Sequence, residues 1–400
     1  MAASVHESAT CPVDASRDDR KSARLAAANV APEPGALLVA RFAVAREILR
    51  HTAIKQGGAG ADLIDTGDPE KVPVFYLDGA AHKRKRGELA RFFTPKIIAT
   101  RYRAVMERTT DALLAGLRTK GEARLDEISF ALAVAVAADI VGLTNSDPVG
   151  MAARIKATLG SIGTHRRKGL ARIIALLAQR WHALSFFFRD VRPAIKARRQ
   201  SRQDDVISHL IDENYPEKAM LIECMTYAAA GMVTTREFIV MAAWHLFGDD
   251  GLRARFLAGD EEDQFAILQE ILRLEPIAAL LHRRVPQETQ LSSGAPIAAG
   301  ALLAIDLRAA NTDEAATGPC PYALDPDRGA RLKVNGAFMS FGDGNHRCPG
   351  SQVALNETRV FLDRLMRVPG IRLMREPTMG WCADLMSYEL RDAIVACDRV

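Results

Sequence analysis

The sequence predicts a mainly α-helical protein with a small β part. Three observations carry that reading. Long stretches between residues 80 and 274 repeat their apolar side chains every three to four positions, the period of a helix. Short β signals are confined to the flanks, near residue 37 and after residue 284. No Pro/Gly/Ser-rich linker and no internal repeat divides the 400 residues, which are 48% hydrophobic and 26% charged. Length alone would suggest two or three domains. The unbroken pattern predicts one large domain over 36–400, behind a loosely ordered polar tail at 1–35.

The elements follow in order. Pro32-Glu33-Pro34-Gly35 is a turn signal. Leu37 to Phe42 reads as a short strand and Ala43 to His51 as a helix. Gln56 to Pro73, rich in Gly and Asp, reads as a loop, and a loop that long is more often functional than inert. Helical periodicity then covers 80–92, 97–118, 130–143, 150–162, 170–199, 204–213 and 216–247, followed by 251–258 and 261–274. Strands are expected at 284–291, 296–297 and 302–306. A meander rich in Pro and Asp occupies 319–331. Met386 to Cys397 reads as a hairpin.

Chemistry concentrates in Phe341-Gly342-Asp343-Gly344-Asn345-His346-Arg347-Cys348-Pro349-Gly350. This is a glycine-rich loop presenting one cysteine. The helical run 351–365 follows, so the sulfur lies near a helix N-terminus, whose positive dipole end favours a thiolate. Such a cysteine can ligate a haem iron, and nearby N–H groups tune the iron's potential. The pattern F-G-x-G-x-H-x-C-x-G is similar to the haem-ligand loop of the cytochrome P450 family, and all six fixed residues are present. The resemblance runs from about residue 36 to the end. It implies the cytochrome P450 fold, long helices around haem with short β-sheets, and it makes Cys348 the ligand of a haem b iron.

The resemblance assigns further residues. Phe341, His346 and Gly350 belong to the ligand loop, with His346 as a donor to a haem propionate. His82 and Arg86, four apart on one helical face, match the family's H-x-x-x-R propionate donors, and Arg283 matches a third, with Arg284 beside it. Glu270 and Arg273 have E-x-x-R spacing, which puts them on one helix face, and the family keeps such a pair as a structural buttress of the meander. Ala230-Gly231-Met232-Val233-Thr234-Thr235 matches A-G-x-[D/E]-T-T except at one place. Gly231 would leave room for dioxygen and Thr234 would hydrogen-bond it. Val233 stands where the family carries an acid and cannot titrate. Glu237, four residues after it on the same face, is the candidate substitute. A substrate pocket is expected from Ala229, Met232, Val233, Ile277, Leu280 and Met386. These side chains are apolar or small, so the expected substrate is a mostly apolar organic molecule.

Composition bounds the partners. A net charge of +4, from 53 basic and 49 acidic residues, is too small to argue for nucleic acid. The local cluster Lys83, Arg84 and Lys85, with Arg347 beside the ligand cysteine, is the expected docking face for an acidic, ferredoxin-type redox partner. Six scattered cysteines without C-x-x-C spacing imply no disulfide framework, which fits a reducing cytoplasm. Met1 to Asn29 has no apolar signal segment and 173–188 is interrupted by polar residues, so no membrane partner is expected. The implied activity is insertion of one oxygen atom from O2 into the substrate with externally supplied electrons. Two rivals stand beside it: a peroxide-using, coupling or desaturating haem-thiolate enzyme, and a non-catalytic haem-binding or sensor protein.

Overall fold

The computed structural model describes residues 17–27, 32–58, 66, 68–160 and 169–399. Cys11, most of the early tail and part of the 56–73 loop lie outside them. The tail residues that are described are docked rather than loose. Lys21–Ala27 forms a 3-10 turn. Its Leu25 is buried, and the Ser22 N–H donates to Glu275 at 3.0 Å.

The principal helices are α1 (Phe42–Arg50), α2 (Gly79–Leu89), α3 (Arg103–Lys120), α4 (Leu125–Val141), α5 (Pro148–Gly160), α6 (Gly169–Phe186), α7 (Arg192–Gln200), α8 (Glu217–Tyr227), α9 (Thr234–Gly248), α10 (Glu261–Leu274) and α11 (Ser351–Met366). Most lie within a few residues of the predicted ranges. Three predicted helices contain π-turns, the one over 97–118 near its start at Ile98–Tyr102 and two longer ones in their middle. A π-turn at Phe187–Val191 separates α6 from α7, and another at Ala228–Val233 separates α8 from α9. Apolar periodicity continues across one extra residue, so the pattern alone does not register such a widening.

The strands, in chain order, are β1 (Leu37–Val39), β2 (Lys55–Gly57), β3 (Glu122–Arg124), β4 (Leu280–Arg284), β5 (Thr289–Gln290), β6 (Pro296–Ile297), β7 (Leu302–Asp306), β8 (Arg372–Arg375), β9 (Thr378–Cys382), β10 (Ser387–Arg391) and β11 (Ile394–Ala396). One sheet runs β1-β7-β4-β2, with β1 parallel to β7 and the other pairs antiparallel. Another runs β3-β11-β8, and β9/β10 and β5/β6 form two ribbons. Two strand expectations are corrected. The run expected at 284–291 is two strands, because Pro286 cannot donate to a ladder. The expected terminal hairpin does not pair with itself: β10 pairs with β9, while β11 pairs with β8 and β3.

The core is built on α4 and α9. Both are apolar nearly all round, and they pack against each other and their neighbours. A smaller apolar cluster joins α1 to the β1-β7-β4-β2 sheet. Among the described cysteines, Cys224, Cys348, Cys382 and Cys397 are free thiols. Cys320 is in a disulfide, a bridge that the spacing did not imply. No helix among the described residues is long and apolar enough to cross a membrane.

Candidate functional site

The cysteine loop ends in a 3-10 turn at Gly344–His346 and leads into α11. Its shape is fixed by close approach to α1. Gly344 has φ +65°, and a Cβ there would lie 2.3 Å from the Leu49 carbonyl oxygen, so only glycine fits. The Cys348 N–H donates to the Phe341 carbonyl at 2.8 Å, which closes the loop on itself. Burial pushes the Cys348 thiol up. The Gly350 N–H, Arg86 and Arg347 pull the other way.

Cys348 opens into a cavity of about 410 Å³. One wall is the cysteine loop and the first turns of α11, through Gly350, Val353 and Glu357. The opposite wall is the end of α8 and the π-turn, through Glu223, Tyr227, Ala230 and Gly231, with Thr235 beyond. A Cβ on Gly231 would meet nothing within 4 Å, so the space beside it is open. Apolar side chains of α4, Ala133 to Ile140, and the segment Val74–Phe75 line much of the rest.

At one edge sit His82 and Arg86 of α2 and His346 of the loop. The His82 and His346 rings stack with centroids 4.2 Å apart. His346 Nε2 lies 3.0 Å from Asp78 Oδ1. Burial, with His346 and Arg86 nearby, holds His82 down at about 4, so its ring is neutral at pH 7. Arg86 donates to the Arg347 carbonyl at 2.6 Å. Arg283 does not line this cavity. It is buried on β4 and lines a second cavity of about 210 Å³, which shares His82 and His346 with the first. Burial lowers Arg283 to about 10.

The donor set fits a haem. One sulfur faces a cavity with an apolar wall, an open glycine stands on the facing helix, and partly buried cationic or N–H donors gather at one edge. Carboxylates in a partly buried site need such donors.

Other expected site residues lie elsewhere. Glu237 is fully buried and committed. It accepts from Arg236 Nε at 2.9 Å, Arg391 Nη1 at 2.7 Å and the Leu390 N–H at 2.7 Å, and it is outside the cavity lining. Thr234 is half-buried, its hydroxyl donating to the Ala230 carbonyl at 2.6 Å; Thr235 is the one of the pair that lines the cavity. None of Ala229, Met232, Val233, Ile277, Leu280 and Met386 lines it. Met232, Val233 and Ile277 pack in the main apolar core, Leu280 is buried on β4, and the Met386 carbonyl accepts from the Ala279 N–H. For Glu237, helical phase was read straight through the π-turn, which rotates the faces that follow it.

Glu270 and Arg273 form a bidentate pair at 2.7 Å for each bond, both fully buried. Arg328 joins them, its Nε 3.1 Å from Glu270 Oε1. The two arginines donate to the carbonyls of Asn311, Thr317, Cys320, Pro321 and Ala323, which fixes the meander. Arg328 was not singled out in the sequence, where nothing but its place in the meander marks it. Glu223 and Glu357 were also missed. Glu357 had a signal: Gly350, Val353 and Glu357 step three or four residues along one face from the cysteine.

A cytochrome P450 family model matches residues 265–368. Cytochrome P450(MEG) of Priestia megaterium is 22% identical over 316 residues, covering 77% of this chain and 73% of its own. Nocardicin C N-oxygenase of Nocardia uniformis subsp. tsuyamanensis is 23% identical over 352 residues, covering 85% and 84%. Among solved structures, CYP109B1 from Bacillus subtilis superposes with a TM-score of 0.75 at 20% identity, over 94% of this chain and 97% of that one. P450BioI in complex with a hexadec-9Z-enoic-acid-ligated acyl carrier protein superposes at 0.72 and 21%, over 90% and 92%. The fold is that of a haem-thiolate oxidoreductase. The chain belongs to the cytochrome P450 family, in its bacterial type.

Proposed function

We propose that the protein is a monooxygenase acting on a mostly apolar small organic substrate, with electrons from an external ferredoxin-type partner in the cytoplasm. The observation that carries the reading is the cavity that sets Cys348 opposite Gly231 and Thr235. Cys348 would ligate a haem b iron, with Phe341 and Gly350 shaping the loop around the sulfur. His82, Arg86 and His346 would hold its propionates, and Arg283 would reach them from the second cavity. When bound, the haem supplies dioxygen activation through thiolate-ligated iron.

The chain's own residues do the rest. The apolar wall from Ala133 to Ile140, with Val74 and Phe75, would bind the substrate and exclude water. Proton delivery is assigned to a group that lines the cavity. The Thr235 hydroxyl would present the proton; Glu357, on the same wall as the sulfur, stands apart from it as a buried acid. Burial raises Glu357 to about 8, and its Oε1 has no hydrogen-bond partner. Thr234 would hold the widened turn through Ala230. Glu237, with its oxygens committed, is a structural anion and not the substitute for the missing acid.

The docking face narrows. Lys83 and Arg347 are exposed, and Arg84 is exposed beside Glu70 at 3.6 Å. Lys85 is buried on Glu223 and is unavailable to a partner.

The test is spectroscopic. The reduced, carbonyl-bound protein should show a thiolate-type Soret band, and Cys348→Ser should lose it. Retention of that band in the variant would place the ligand at another cysteine. Titration of the ferric protein with steroids, terpenoids and fatty acids should shift the Soret band for one apolar class.

A further inference from the structure

Helix α6 is built inside out. Leu170, Ile173, Ile174, Leu177, Trp181 and Leu184 recur at the spacing of one helix face, within an arc of about 100°. A face like that normally seeks a core, yet all six are exposed, Trp181 by 71% and Leu177 by 64%. The only side chains that α6 buries are Ala175 and Phe186. Its contact with the body is made largely by small residues, and its large apolar residues point to solvent. The stripe runs from Leu170 to Leu184 of this 18-residue helix, about 21 Å, and Phe188, also exposed, follows it in the next turn. Contiguous apolar surface of this kind marks an interaction site.

The sequence that carries the stripe has charge of one sign. Between Asp147 and Asp190 the sequence holds eight lysines and arginines and no aspartate or glutamate. By helical phase, Arg180 borders one edge of the stripe, Arg172 lies on the far, polar face, and Arg189 follows in the π-turn. Among the described residues none of these three has an acidic partner; Arg154, on α5, is the one paired, with Asp190 at 2.6 Å. Two copies of this face would bring like charges together, which opposes a symmetric dimer. A broad apolar stripe with an aromatic residue, flanked by unpaired arginines, is the pattern of a helix lying in a lipid interface.

We propose that α6 seats the protein on an anionic membrane surface. The apolar stripe enters the headgroup boundary and the arginines meet lipid phosphates. The seat is peripheral and needs no spanning segment. It is independent of the haem site.

The test uses full-length, haem-loaded protein and phosphatidylcholine vesicles with or without phosphatidylglycerol. Sedimentation should show binding that requires phosphatidylglycerol and falls with salt. Brominated acyl chains should quench Trp181, while Trp244, buried in the core, stays bright. Leu177→Glu/Trp181→Glu should abolish binding with the Soret band and helix content unchanged. Arg172→Gln/Arg180→Gln should weaken it about tenfold or more. Absence of vesicle binding, or equal binding by the stripe variant, overturns the assignment. So does a dimer in solution that the stripe variant dissolves, which would make the face a contact between copies. Equally tight binding to soluble polyglutamate would show that charge alone is read, and the membrane seat would fall.

Discussion

Lys85 and Glu223 form an ion pair at 3.1 Å in the wall of the cysteine cavity, both nearly fully buried. Lys85 also donates to the Val72 carbonyl at 2.8 Å and stands over the Tyr215 ring. The pair ties α2, which carries His82 and Arg86, to α8, which carries the opposite wall. Removing one partner strands a buried charge. Lys85→Met is expected to lose about 3–5 kcal/mol of stability. Lys85→Met/Glu223→Gln should recover most of it. Urea unfolding of the two variants and Glu223→Gln gives the coupling directly; additive losses would show that the two side chains act separately.

Arg273 answers two demands at once, the Glu270 carboxylate and the meander carbonyls. Arg273→Leu leaves Glu270 with Arg328 and the Asp325 N–H and unsatisfies buried carbonyl oxygens. A loss of about 3–5 kcal/mol is expected, read as a lower denaturation midpoint and poor haem retention. Arg273→Lys should fall between, because an ammonium cannot reproduce the bidentate fork. A midpoint equal to wild type in Arg273→Leu would remove the buttress from the account.

The two threonines after the π-turn should separate. Thr235→Val removes the hydroxyl that lines the cavity and should cut product formed per electron consumed by about a hundredfold, the scale of a positioned proton donor. Thr234→Val should change it only a few-fold. Glu237→Gln should leave turnover intact while costing about 1–3 kcal/mol, since it weakens charged hydrogen bonds to Arg236 and Arg391. The reverse ranking of the threonines would return the proton role to Thr234. Slowed turnover in Glu237→Gln would restore the relay that its burial speaks against.

Glu357 predicts a pH dependence. Its folded value is raised to about 8 from an ordinary 4.5 by burial. Between those values the folded state binds the extra proton, so stability falls as pH rises through the window. The contribution is complete below about 4.5 and is lost by the time pH passes 8. Glu357→Gln keeps the shape without the titration, so its stability curve should be flatter from pH 5 to 8. Parallel stability curves for the two proteins would show that Glu357 titrates normally.

The ligand loop, the helix order and the Glu270–Arg273 pair were legible because each is local. A loop motif, an apolar period and an i,i+3 pair are all written within one stretch of chain. What escaped depends on distance or on backbone irregularity. Arg328 reaches Glu270 from 58 residues away. The partners that hold Glu237, Leu390 and Arg391, come from over 150 residues later. The π-turn at Ala228–Val233 shifts helical phase without altering composition, and Thr235 rather than Thr234 lines the cavity after it. The outward stripe of α6 has the same periodicity as a buried one, and sequence does not say which way a face points.

The glycine at 344, pressed against Leu49, has a consequence for how the chain assembles. The cysteine loop takes its form from a helix nearly 300 residues upstream, and β7 pairs with β1 across a similar span. Closing such loops costs entropy that only the finished contacts repay. The stretch 265–368, which carries the family's signature, is therefore no autonomous foldon. Synthesis delivers Cys348 late, onto a platform that β1 and α1 provide.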